Sequence, residues 1–510
     1  MSAAFNDTVF ESWSAFQQSP LALPTATAVG VGILLTVVYP ALFSQRKSTD
    51  IPELGGLSIL TAWPFFTKRH DFLKSNFAKV GEKIFTFKIL HHSVTAVKGE
   101  EARKAFFDNR SLNFIEGYKI LMGAAPRLSD IDESAQQPED VSWFNKQLSI
   151  LMHKDRLSEV LPTLFDDVQA RMEGWGKEGQ FDPFKNVYDL VFQMTVRMAT
   201  CRELSTDMEV LNKLQHDYWT LEKSATPTAL LLPWFPSPAK KNKEIATKNL
   251  FTALYGYVET RRAAEVPSSD AIDVLLAQGL STEHIIGFVL SVVFAGVVNT
   301  GINSCWALLF LSYNKEWKKK VSDEVQSLIK MHTNTTSSDP LHKRLSAIPV
   351  SAWEEEMPAM DTVIRETIRI VMNGAALRRN VIDDLHLGGK AVPKGNFMAY
   401  QLTDAHLNPE IYTDPTEFDP TRFAPGREED KKQTYAYLGW GAGRHPCTGM
   451  KVAKLEIKII VALFIAGYEY DVVDSKGNFP ERLPKPDYND IQQARPIGDP
   501  CFIRFKRVVE

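Results

Sequence analysis

The sequence predicts a mainly α-helical domain with a small β-region, preceded by one N-terminal transmembrane helix. Helical apolar spacing dominates up to about residue 375. Alternating apolar and polar residues confine strands to Ile84–Ile89, Val94–Val97 and the loop-rich stretch beyond Leu377. Between Pro24 and Pro40 no residue carries a charge. With 510 residues, 44% apolar and 24% charged, the chain can build a large packed core. A net charge of −4 offers nucleic acid no electrostatic attraction, so no such partner is expected.

The run from Leu21 to Phe43 is long enough to cross a bilayer, which takes about 20 apolar residues. Asp7 and Glu11 precede it and Arg46-Lys47 follow, so the positive-inside rule puts the main body in the cytosol. A cleaved signal peptide is the rival reading and fits less well, because the run is long and the amino end has no basic start. Residues 1–20 then form a lumenal segment with a glycosylation triplet at Asn6, 21–43 the anchor, 44–60 a linker and 61–510 the main domain. Pro227, Pro233 and Pro236-Ser237-Pro238 break the helical region. Ile285 to Leu311 is also uncharged and long enough to span a membrane. Ser291, Asn299, Thr300, Asn303 and Ser304 interrupt it, and burying these groups in lipid is costly. A core helix with polar groups facing a cavity accounts for them better. Thr333 to Pro340 is a polar connector, and Ser351-Ala-Trp-Glu354 has capping-box spacing. Lys451 to Leu463 returns to helix. Four cysteines, Cys201, Cys305, Cys447 and Cys501, are too scattered for a disulfide framework or a paired-cysteine zinc site.

Chemistry concentrates in Trp440-Gly-Ala-Gly-Arg-His-Pro-Cys447-Thr-Gly449. Gly443 and Gly449 permit close approach of the backbone to a ligand. Arg444 and His445 put positive or donor groups beside the sulfur, and a helix starting near Gly449 aims its dipole at it. Both features favour a thiolate. Gly439, Gly441 and Gly443 lead into a cysteine loop rather than a helix, so they form no dinucleotide fingerprint. The segment resembles the haem-binding loop of the cytochrome P-450 superfamily, with Trp440 at the usual phenylalanine and His445 at the usual arginine. That resemblance implies haem b, with Cys447 as its iron ligand.

Further motifs follow in the family's order. Glu366-Thr-Ile-Arg369 places a carboxylate and a guanidinium on one helix face. It is similar to the family's Glu-x-x-Arg element, and Phe418-Asp-Pro-Thr-Arg422-Phe423 to the later segment supplying a second arginine. By that analogy Glu366, Arg369 and Arg422 support the cysteine loop. Ala295-Gly-Val-Val-Asn299-Thr300 resembles the oxygen-handling motif, which ends in an acid and a threonine. One alignment puts Asn299 at the acid and Thr300 at the threonine, as in the subgroup of sterol-nucleus hydroxylases and prostanoid-rearranging enzymes. The other puts Val298 and Asn299 there. The first is preferred because it keeps a hydroxyl. One of Arg378 and Arg379, with Arg379 taken as the candidate, is expected to reach a haem propionate. The Trp143 helix carries Gln147 where the family commonly has arginine.

The resemblance implies monooxygenation of a large lipophilic substrate, such as a sterol or terpenoid, at the endoplasmic reticulum membrane. It implies an NADPH-dependent diflavin reductase as partner, with Lys431, Lys432, Lys451, Lys454 and Lys458 as a basic docking face. Substrate-facing stretches are expected at residues 109–140, 204–238, 289–300 and 373–377. A haem-thiolate isomerase or dehydratase, working without a reductase, is the alternative; a non-catalytic haem carrier is a third.

Overall fold

In the computed structural model, residues 50–121, 141–232, 235–266, 268–334 and 337–509 are described. The expected lumenal segment and anchor lie outside them, as do residues 122–140, Pro233 and Trp234.

The elements that position the site are, in chain order, helices α1 (Ser58–Thr67) and α2 (Arg69–Val80), strands β1 (Ile84–Ile89), β2 (His92–Val97) and β3 (Leu112–Asn113), and helices α3 (Phe114–Leu121) and α4 (Val141–Leu151). Strand β4 (Glu178–Phe181) and helices α5 (Pro183–Ala199), α6 (Met208–Ser224), α7 (Pro227–Leu231), α8 (Thr282–Tyr313) and α9 (Pro358–Val371) follow. Then come strands β5 (Ala375–Asn380), β6 (Phe397–Gln401), β7 (Gly441–Ala442) and β8 (His445–Pro446), helix α10 (Met450–Gly467), and strands β9 (Tyr468–Val473) and β10 (Phe502–Arg507).

Helix α8 is the axis. It contains the uncharged run, and among the described residues it alone is long and apolar enough to span a membrane. Ile285, Val297, Trp306, Leu308, Leu309 and Leu311 on it are fully covered by protein, and α5, α9 and α10 pack along it. A helix apolar on nearly every side is at rest only where other helices surround it. Ser281 caps it by accepting the His284 N–H.

The β-region is a five-stranded sheet in the order β1-β2-β6-β5-β3, parallel only between β2 and β6. A second sheet, β9-β10-β4, closes the far side. Two boundaries differ from the expectation. Ile51 is buried, and Leu54 N–H donates to the Thr86 carbonyl at 2.8 Å, so residues from 51 onward pack on β1 rather than forming a linker to residue 60. The short helix Val350–Glu355 has Pro349 at its N-cap, which puts Ser351 inside it; proline at that corner overrides the capping-box spacing.

Candidate active site

The cysteine loop is a two-residue hairpin, with His445 opposite Ala442 and Pro446 opposite Gly441. Cys447 N–H donates to the Trp440 carbonyl at 2.7 Å, which closes the loop, and Gly449 then caps α10. Gly443 is glycine for a reason within the protein: its φ is +57°, and a Cβ there would lie 2.4 Å from the Phe107 carbonyl oxygen. Gly449 differs. A Cβ there would meet only Met152, at 3.7 Å, so room is kept beside Cys447 that the protein itself does not fill. Thr448 Oγ1 bonds Asn145 Oδ1 on α4 at 2.9 Å, tying the loop to the neighbouring helix.

Cys447 is surrounded by protein yet open to solvent on one side. Burial pushes its thiol up from the ordinary value, opposed by the Gly449 N–H. Neither Arg444 nor His445 lowers it, contrary to the sequence-based expectation; an iron ion would have to draw the proton off. His445 is itself pushed down, by burial and then by Arg378 and Arg444.

The expected support is a dense knot. Arg369 Nε and Nη2 donate to the two Glu366 oxygens, each at 2.7 Å. Arg422 Nε reaches Glu366 at 2.9 Å, and all three side chains are fully buried. Arg369 Nη1 also donates to the His406 carbonyl at 2.6 Å. Two residues absent from the sequence reading complete the knot. Glu429 accepts from Arg422 Nη1 at 2.8 Å; burial works to raise its pKa, but Arg427, Thr413 and Arg422 outweigh that and hold it down at about 2. It sits in the charged run Arg427-Glu-Glu-Asp-Lys-Lys432, which reads as solvated surface. His406 Nε2 accepts the Leu438 N–H at 2.8 Å, just before the cysteine loop.

Burial, then Arg369, pulls His406 from 6.5 to about 3, so it is neutral in the fold. A histidine held down in this way is protonated more readily in the unfolded chain, so stability is complete above about pH 6.5 and falls as pH drops toward the folded value. The expected slope from this group is about 1.4 kcal/mol per pH unit in that window. Denaturant melts from pH 7 to 4 should show His406→Gln with a shallower acid loss than wild type; an identical slope would contradict this.

Along α8 the structure separates the two residues expected to handle oxygen. Ala295 and Asn299, one turn apart, are exposed. Thr300 is only 3% exposed. The cause is helix rotation. A Cβ on Gly296 would lie 3.2 Å from Thr195, and one on Gly301 2.6 Å from the Tyr188 ring, so the face between these glycines packs on α5. At 100° per residue Thr300 falls on that face and Asn299 does not. Thr300, preferred above for the threonine position, thus faces α5, whereas Asn299 lies on the open strip, as the other alignment would have it. Asn299 Nδ2 donates to the Ala295 carbonyl at 3.2 Å, leaving Oδ1 as an acceptor on the open strip.

The structure separates the two arginines as well. Arg379 pairs with Glu116 at 2.9 Å, which occupies its charge. Arg378 is buried over Phe106, Phe107 and Phe114, has no carboxylate among the described residues, and leaves Nε without a partner. Tyr118 interacts with it, and it in turn acts on His445. Phe114 leaves 37% of its surface open and its ring lies 5.6 Å from that of His445. An unpaired buried guanidinium beside an accessible aromatic ring and an accessible cysteine suits a flat apolar group carrying carboxylates. Gln147 is buried on α4 with Oε1 unpartnered.

Of the five lysines, Lys458 is no docking residue. It is 1% exposed and bonds the Trp353 carbonyl at 2.7 Å and Asp361 at 2.9 Å. Lys454 shares Asp361 at 2.8 Å. Lys431 and Lys451 keep most of their side chains in solvent, although each meets a carboxylate, Glu428 and Glu354 respectively.

The cytochrome P-450 family profile matches residues 52–489. The chain is 31% identical to the cytochrome P-450 monooxygenase AacuE of Aspergillus aculeatus, over 94% of this chain and 97% of that protein. It is 24% identical to a sterol 14-demethylase of Arabidopsis thaliana, over 94% and 97% respectively. The retinoic acid-bound cyanobacterial CYP120A1 shares its fold, with a TM-score of 0.70 at 21% identity, covering 91% of this chain and 100% of that one. With a buried arginine and an accessible cysteine placed to suit haem, and the family match running through both, the chain belongs to the cytochrome P-450 family of haem-dependent monooxygenases.

Proposed function

We propose that this protein is an NADPH- and O2-dependent hydroxylase of a large lipophilic molecule, anchored in the endoplasmic reticulum membrane by residues 21–43 and reduced by a separate diflavin enzyme. The observation that carries the reading is Cys447, accessible on a hairpin braced by the Glu366 knot through His406. Bound haem would supply the redox chemistry. Cys447 would hold its iron, with Trp440, Gly443, Arg444 and Gly449 shaping the loop. Arg378, Tyr118 and His445 would face its propionates. On this assignment Arg378→Leu lowers haem retention during gel filtration several-fold, whereas Arg379→Leu leaves it near wild type; the reverse order would restore Arg379.

The chain's own part on the opposite side rests with α8. Ala295 leaves space, and Asn299 Oδ1 can hold a water by accepting its hydrogen bond. An amide neither gives nor takes a proton by ionising, so protons would pass through water held there. Reconstituted with a diflavin reductase, the wild-type protein should consume NADPH and O2 in proportion to product. Asn299→Ala should cut product per NADPH by about tenfold, the lower part of the range for a positioned proton-transfer group. Thr300→Ala, behind the helix, should leave the ratio within about twofold. A larger Thr300 effect would return the relay to that residue. One observation favours a second reading, rearrangement of an oxygenated substrate without a reductase: Ala295, Val298 and Asn299 carry neither an acid nor a hydroxyl. Turnover that persists without NADPH would establish it.

A further inference from the structure

Tyr188 of α5 touches three elements at once. It is 1% exposed, and its ring fills the notch left by Gly301 on α8, where an added Cβ would lie 2.6–2.8 Å from three ring carbons. Its hydroxyl reaches the Gln492 carbonyl at 2.9 Å and the Val298 carbonyl at 3.4 Å. Burial pushes the pKa of the phenol up, so the proton stays on, and a phenol has only one to donate. The two carbonyls share it, with Gln492 the nearer. The Val298 carbonyl belongs to the rigid peptide plane that carries Asn299. Trp219 of α6 lies against Tyr188, with ring centres 5.5 Å apart.

The Gln492 carbonyl is a fixed point. Asp490 accepts the N–H groups of Gln492, Gln493 and Arg495 at 3.1–3.2 Å. Gln493 Nε2 donates to the Phe184 carbonyl at 3.0 Å, and Trp306 Nε1 to the Ala494 carbonyl at 2.9 Å, which straps the loop to α5 and α8. Gln492 Nε2 also donates to the Glu222 carbonyl of α6 at 2.6 Å, within a stretch expected to face substrate. Helix α8 needs such a reference, because it lacks the one-sided polar face that orients a surface helix. A turn of about 20° moves a side-chain tip, about 5–6 Å from the axis, by about 2 Å. The contact of Thr195 with Gly296 sets no direction, since the buried Thr195 Oγ1 has no partner. Cys305 and Trp306 hold α8 farther from Asn299.

We propose that Tyr188 is the positioning residue for Asn299: its ring in the Gly301 notch and its hydroxyl, shared between Val298 and Gln492, fix the rotation of α8 that puts Asn299 on the open strip. This rests on the hydroxylase reading above and deepens it, because the same hydroxyl ties α8 through Gln492 to α6.

Carbon monoxide on reduced, haem-loaded protein is the probe, because its infrared stretch reports the polar groups beside it. Asn299→Ala should displace the band and so calibrates what that amide contributes. Tyr188→Leu, which opens the notch and removes the hydroxyl, should reproduce at least half of that displacement or split the band in two. Tyr188→Phe keeps the ring and should give a smaller displacement, with circular dichroism and haem content matching wild type. Gly301→Ala should displace the band as well. Combining it with Tyr188→Leu should bring the band back toward wild type, because the smaller side chain and the added methyl refill the notch together. A loss of stability alone would leave the band in place. A wild-type band in either single Tyr188 variant overturns the proposal, as does a band unmoved by Asn299→Ala. Failure of the hydroxylase reading would show itself separately, as wild-type protein that turns over without NADPH.

Discussion

Cys447→Ala should eliminate the carbon monoxide difference band of a thiolate-bound haem, together with all oxidation of substrate. The fold should survive, because the loop is held by backbone bonds and by the knot behind it, not by the sulfur. Far-ultraviolet circular dichroism of the variant should match wild type. The thiol also makes a prediction of its own. Burial raises it, so at neutral pH the haem-free protein should hold a proton on Cys447 Sγ and react slowly with alkylating reagents, faster as pH rises. Haem binding should release that proton, since a metal takes the thiolate form. Retention of the band in Cys447→Ala would remove this residue from the iron. Fast alkylation of haem-free protein at pH 7 would show that burial does not keep the proton on the sulfur.

Glu366→Gln should have the largest effect on stability. The substitution keeps shape and volume but leaves Arg369 and Arg422 fully buried around a neutral amide, with Glu429 the nearest remaining carboxylate. Removing one member of a buried ion cluster typically costs about 3–5 kcal/mol. The consequence should travel along a defined line, from Arg369 through the His406 carbonyl to the Leu438 amide and the cysteine loop. Haem should therefore be lost at a lower denaturant concentration than the one that melts bulk helix. Arg422→Lys should be milder, because Arg369 still engages Glu366 through two bonds. A melt of Glu366→Gln within about 1 kcal/mol of wild type would show that the cluster is not the brace.

The family, the cofactor and the place of Cys447 were legible in the residues, because each depends on short-range spacing. A carboxylate and a guanidinium three positions apart share a helix face wherever that helix lies. Glycines and a proline around a cysteine make a tight hairpin from local backbone preference alone. The uncharged run ending near Leu311 likewise declared itself a helix. Its direction of facing did not follow. Asn299 and Thr300 are neighbours in sequence but 100° apart around α8, and only the glycine contacts with Thr195 and Tyr188 decide which of them turns to α5.

The same division holds for the charges. Arg378 and Arg379 alternate across β5, and it took Glu116 from α3 to neutralise one and leave the other unpaired. Lys458 looked like surface until Asp361 and the Trp353 carbonyl enclosed it. Sequence by itself determined which groups could pair locally and so which fold and cofactor this protein uses. Tertiary structure decided which groups remain without a partner, because desolvation and long-range ion pairing depend on residues brought together from far along the chain.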